Sequence, residues 1–162
     1  MRRIFRRRRK ESGLPPGTLV YDGEEKASSS RVTVIDYDKS GIREKAVEDV
    51  QDCFPLRDSP SVSWINVDGL GDLELIQSLG NHFGFHPLVL EDVVSTNQRP
   101  KFEEFEEYIF IIIKMLDYRE DKEEITSEQV SFLVGKNYVV SFQEHQGDLF
   151  EPIRQRIRNR KG

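Results

Sequence analysis

The chain has 162 residues, of which 36% are hydrophobic and 33% charged, and a net charge of −5. That length supports one domain with a real core, and the clustering of apolar residues into runs excludes a wholly disordered polymer. Residues 1–11 hold Arg2, Arg3, Arg6, Arg7, Arg8, Arg9 and Lys10 against Glu11, a local +6 that leaves −11 on the remainder, and a body that acidic repels nucleic acid and attracts cations.

Residues 1–13 read as a basic flexible tail, either free in solution or in contact with anionic lipid headgroups. No apolar segment follows the arginines, so this is not a secretory signal. Residues 14–162 read as one domain. Gly13 to Gly17 forms an extended lead-in. Thr18–Tyr21 reads as a strand with a turn at Asp22-Gly23. The β-branched content of Arg31–Tyr37 predicts its hairpin partner, across a polar loop from Glu24 to Ser30. Ala46–Phe54 reads as a short helix ended by Pro55. It contains Cys53, the single cysteine, which permits no intrachain disulfide and no zinc cluster and suits a reducing compartment.

Val62–Val67, with Trp64 and Ile65, reads as a buried strand. The spacing of Leu75, Ile76, Leu79 and Phe83 predicts a helix over Asp72–Phe83. Gly84 is suited to ending that helix and Pro87 to starting the next, so a second helix is expected from Pro87 to about Ser95. At ~100° per residue, Val89, Leu90, Val93 and Val94 share its core face, and Leu88, Glu91, Asp92 and Ser95 the other. Asn97 to Pro100 is a turn, and Lys101–Phe105 reads as a strand edge. Tyr108–Tyr118 is the strongest strand pattern, apolar on both faces, which predicts a central strand covered on both sides. Its apolar run is far short of the ~20 residues a bilayer demands. Gln129–Val134 and Tyr138–Phe142 are strands joined by a turn at Gly135-Lys136-Asn137, and Leu149–Asn159 reads as a helix. The sum predicts an α/β fold, a three-layer α/β/α sandwich with a mixed central sheet.

Little enzyme chemistry is supported. Gly69-Leu70-Gly71 lies between a strand and a helix, but Glu74 stands where a dinucleotide pattern has its third glycine, and Asp68 and Asp72 repel phosphate. His82 and His86 have the spacing of a helical metal pair, but Gly84 and Pro87 break the helix. Glu103, Glu104, Glu106 and Glu107 read as a solvated acidic turn. No nucleophile elbow is present. The expectation is a non-enzyme. Glu91 and Asp92 are an ordinary solvated pair or a site for a hard cation. Adjacent helix residues do not face each other, so such a site needs ligands from elsewhere.

Several ordered stretches carry a resemblance. They are Gly13-Leu14-Pro15-Pro16-Gly17-Thr18-Leu19-Val20-Tyr21, Ser63-Trp64-Ile65-Asn66-Val67, Phe83-Gly84-Phe85-His86-Pro87-Leu88-Val89-Leu90-Glu91-Asp92-Val93, Asn97-Gln98-Arg99-Pro100-Lys101, Tyr108-Ile109-Phe110, Glu128-Gln129-Val130-Ser131 and Gly147-Asp148-Leu149-Phe150-Glu151-Pro152-Ile153-Arg154. Together they resemble the N-terminal cytoplasmic domain of the CorA magnesium transporters. The resemblance implies a domain on the cytoplasmic side of the cell membrane, part of a homopentameric channel for Mg²⁺ that also passes Co²⁺ and Ni²⁺. It implies a stalk helix and membrane helices beyond this stretch, the only route by which the domain meets the membrane. It further implies that regulatory Mg²⁺ binds between subunits at Asp92 and the neighbouring Glu91, opposite carboxylates of a neighbouring stalk. Two alternatives stand beside it: a Zn²⁺ transporter domain on the same scaffold, and a free-standing soluble protein that binds a partner through its arginine-rich tail.

Overall fold

The computed structural model describes residues 14–21, 30–119, 123–145, 147 and 150–160. The basic tail, the Asp22-Gly23 turn, most of the Glu24–Ser30 loop and Leu149 lie outside the described residues. A seven-stranded sheet forms the middle layer, built from β1 (Arg31–Tyr37), β2 (Ile42–Val47), β3 (Val62–Asp68), β4 (Lys101–Glu104), β5 (Ile109–Arg119), β6 (Glu124–Val134) and β7 (Tyr138–Gln143). The spatial order is β2-β1-β3-β7-β6-β5-β4. β3 and β7 run parallel at the centre, and every other pairing is antiparallel. The sheet is mixed, as its mixture of hairpins and crossovers predicts.

One face is covered by α1 (Leu73–Phe83), α2 (Pro87–Val94) and a 3-10 helix over Val50–Asp58. Strand alternation sends Val32, Val34, Ile65, Val67, Phe110, Ile112, Leu133, Val140 and Phe142 to that side, where they meet Ile76, Leu79 and Phe83 of α1 and Val89, Leu90, Val93 and Val94 of α2. The opposite face is covered by α3 (Glu151–Arg158), where Phe150 and Ile157 pack with Ile35, Trp64 and Val130. Arg154 lies over the Trp64 ring at 5.3 Å. Arg158 grips Glu44 of β2 through two hydrogen bonds of 2.8 and 2.7 Å, tying α3 to the sheet edge. The architecture is the three-layer sandwich.

Three expectations are corrected. Residues 18–21 form no strand. Both edges of β1 are already taken, by β2 and β3, so no edge is free for them. Instead the Thr18 N–H donates to the Pro15 carbonyl in a turn, and Leu19 and Tyr21 pack on the first core. The Ala46–Phe54 helix is replaced by the end of β2 and the 3-10 helix. β2 is an exposed edge strand whose Glu, Lys and Ala favour helix in isolation, and pairing with β1 overrides that preference. Asp38 turns the hairpin by accepting hydrogen bonds from the Ser40 and Gly41 N–H groups at 2.7 and 3.0 Å. Pro55 sits inside the 3-10 helix rather than ending a helix.

The third correction concerns coverage of β5. It lies next to the edge strand β4, not at the centre. Ile113 and Met115 are half-buried, and Leu116, 69% exposed, lies beyond the reach of both β4 and β7. The short α3 does not extend over that end.

Candidate metal site

The site is built on α2. Its start is fixed by His86, whose Nδ1 accepts the Leu88 N–H at 3.2 Å, and by Pro87 in the first turn. Gly84, with φ of 75°, ends α1 in the left-handed conformation that glycine adopts freely. The two helices approach so closely that a Cβ on Gly80 of α1 would collide with the Leu90 methyls. Four apolar side chains anchor α2 in the core, and Glu91 and Asp92 are left on its outer side.

The two carboxylates serve different neighbours. Glu91 Oε2 accepts the Gly17 N–H at 3.0 Å, holding the lead-in segment against α2. Asp92 Oδ2 accepts a hydrogen bond from Lys101 Nζ at 2.7 Å. The same ammonium donates to Glu103 Oε1 at 2.9 Å and lies 5.0 Å from the centre of the Phe110 ring. Lys101 and Glu103 share a face of β4 because they are two apart on a strand, and that face looks toward α2. Burial works against the charge on Lys101, but its bonds to Asp92 and Glu103 outweigh burial and hold its pKa above the ordinary lysine value. The three side chains are 24%, 26% and 43% exposed for Asp92, Lys101 and Glu103, so the cluster lies at the surface.

The backbone behind Asp92 is fixed from below. The fully buried Gln129 donates through Nε2 to the Asp92 carbonyl at 3.0 Å and accepts from the Gln98 N–H and Lys114 Nζ. Lys114 Nζ also donates to the Thr96 carbonyl at 2.5 Å. The turn after α2 is therefore tethered to β5 and β6, and Asp92 sits on a rigid base.

Two carboxylates already converge on one cationic atom, and their oxygens are the donor type that hard dications accept. The residues present thus suit a cation. Among the described residues, no set of three or more His, Cys, Asp or Glu side chains is arranged to hold a metal. Asp92 and Glu103 supply two carboxylate donors at most. The sequence reading placed Glu103 in a solvated acidic turn and connected neither it nor Lys101 with Asp92. The alternation along β4 put those two on one face, but only the packing of α2 against β4 brings them to Asp92.

The other candidates have structural duties. His82 Nε2 donates to the Phe54 carbonyl at 3.0 Å, and its ring stacks on Phe54. The Gly69 N–H donates to the Gln143 carbonyl, and Ser30 Oγ donates to the Gly69 carbonyl. The loop at Gly69 is bonded to its own protein rather than opened toward a phosphate. Cys53 is fully buried, with its thiol pushed up to about 11 by desolvation, and is therefore inert. A cleft of about 360 Å³ between α3 and the β1–β2 edge mixes Arg31, Arg154 and Arg158 with Glu44, Asp68 and Glu151. Glu44 and Glu151 both hold Arg158 there.

Among the described residues, no helix is long and apolar enough to cross a membrane. The chain is 45% identical over 152 residues to the cobalt/magnesium transport protein CorA of Thermotoga maritima, covering 94% of this chain and 43% of that protein. It thus spans less than half the length of this relative. In structure it resembles the soluble domain of CorA from Methanocaldococcus jannaschii (TM-score 0.54, 17% identity, 80% of this chain and 47% of that one). It also resembles the cytoplasmic domain of ZntB from Vibrio parahaemolyticus (TM-score 0.61, 12% identity, 83% and 52%). At such identities these two likenesses speak for the fold. The sequence profile of the CorA-like Mg²⁺ transporter protein matches residues 59–162, and the chain belongs to that family.

Proposed function

We propose that this chain is the cation-sensing regulatory part of a CorA-type divalent-cation transporter, with Asp92 and the adjacent Glu91 as its half of an intersubunit Mg²⁺ site. The observation that carries this reading is the convergence of Asp92 and Glu103 on a single positive charge at the surface. Glu91 adds negative charge beside them while its Oε2 holds Gly17. A dication bridging carboxylates of two subunits offsets their repulsion, and its loss lets like charges push the subunits apart. Mg²⁺ retains several waters, so a site with one or two protein carboxylates per subunit is weak and suits a sensor of an abundant ion. The transported ions are Mg²⁺ and Co²⁺, the two named for the Thermotoga relative, with Ni²⁺ as a further candidate. Assembly is as a homo-oligomer, a pentamer in the longer protein, and the domain lies on the cytoplasmic side of the membrane.

The fold likeness to ZntB raises Zn²⁺ as the second reading. The donors at Asp92 are carboxylate oxygens and the one cysteine is buried elsewhere, which favours a hard ion over Zn²⁺. Transport measured with both ions in the longer protein separates the two. The sensing role is tested there by limited proteolysis across a Mg²⁺ titration. Asp92→Asn should raise the protective Mg²⁺ concentration by about tenfold or more, corresponding to ~1.4 kcal/mol of lost binding. Protection unchanged from wild type would place the sensor elsewhere.

A further inference from the structure

We propose that Lys101 is an internal competitor for the cation at Asp92, setting the concentration at which the site fills. This rests on the reading of Asp92 as a Mg²⁺ ligand and adds what governs its affinity.

Lys101 Nζ lies 2.7 Å from Asp92 Oδ2 and 2.9 Å from Glu103 Oε1. The ammonium therefore occupies the place between the two carboxylates where a bridging cation gains most. The Phe110 ring, 5.0 Å from Nζ, adds a further attraction that holds it there. With Lys101 in place the cluster of three side chains carries −1; without it the two carboxylates carry −2. An incoming dication therefore meets a half-neutralised site and must displace a charge-assisted hydrogen bond from Asp92. Displacement is open to lysine, because the ammonium sits on a flexible four-carbon stem and the cluster is partly exposed. When the dication leaves, the ammonium returns and spares the carboxylates an unpaired state at close range. The lysine thus weakens the site and stabilises its empty form.

The test uses this chain with Mg²⁺ alone as the probe, following the side-chain carboxyl signals of Asp92 and Glu103 by NMR. Lys101→Met should lower the half-saturating Mg²⁺ concentration on the order of tenfold at moderate salt. Lys101→Arg, which keeps the charge, should not, and Lys101→Met combined with Asp92→Asn should lose the gain. Lys101→Gln serves if the methionine variant melts early. In the wild-type chain, Mg²⁺ should shift the Lys101 Nζ signal in step with the Asp92 carboxyl signal.

An affinity unchanged or weakened in the neutral variants, with melting intact, overturns the proposal. So does an Nζ signal that stays still while Asp92 titrates. If the neutral variants bind no better yet Asp92→Asn still abolishes Mg²⁺ protection in the longer protein, only the competition fails. If they bind better here while Asp92→Asn leaves that protection unchanged, the competition holds and the sensing role fails.

Discussion

Asp92 and Glu91 are neighbours in sequence, yet one is engaged with β4 and the other with the segment before β1. Helix geometry separates them, and each acquires a separate task. A similar division holds for Glu128 on β6. Burial pushes its carboxyl above the ordinary glutamate value, while the N–H of His145, donated at 2.9 Å, works in the opposite direction. A folded-state pKa above the unfolded one contributes stability at low pH that is lost as pH rises through the folded value. Glu128→Gln should therefore melt higher than wild type at pH 7, with the gap closing toward pH 4, as thermal melts at the two pH values will read. A gap that widens toward pH 4 contradicts the assignment. On the same face, the buried Gln143 has neither side-chain amide atom hydrogen-bonded among the described residues. Replacing such a group with an apolar side chain of similar size removes a desolvation cost. Gln143→Leu should thus gain about 1–3 kcal/mol in denaturant unfolding, whereas a loss of stability would mean that the amide is paired in solution.

At the scale of elements, α1 and α2 fit closely. Leu90 is fully buried, and its methyls occupy the space a Cβ on Gly80 would need. Gly80→Ala gains about 1 kcal/mol in helix propensity but forces overpacking worth about 1–3 kcal/mol. Packing should win, lowering unfolding free energy by up to about 2 kcal/mol, the difference between the two effects; a gain in stability would show that Leu90 can repack.

The elements legible in the sequence are those with punctuation or strong periodicity. Asp72 caps α1 by accepting the Leu75 N–H, Gly84 ends it, and Pro87 opens α2. β1, β3 and β7 announced themselves through β-branched and aromatic content. β2 did not, because Ile42–Val47 is mostly exposed and its residues favour helix locally. The first half of β6 was missed for the same reason, since Glu124–Glu128 is a polar stretch held by pairing to β5. The strand expected at 18–21 failed on a fact no local pattern carries, namely that β1 has no free edge. Of the cluster around Asp92, the outward placement of that residue was legible from helix periodicity, while its contact with Lys101 and Glu103 depends on the packing of two separate elements.

The molecule as a whole joins an acidic body to a rigid α2 that presents Asp92 at the surface. Two carboxylates from one chain are a poor cage for Mg²⁺, which demands near-octahedral coordination. The reading of Asp92 as half of an intersubunit site therefore has a quantitative consequence: affinity must depend on assembly. The most direct measurement is the half-saturating Mg²⁺ concentration at the Asp92 carboxylate, taken in this chain alone and in the longer assembled protein. Filling at least about tenfold tighter in the assembled protein, or ~1.4 kcal/mol, is the predicted result. Equal affinity in the two would contradict the intersubunit site.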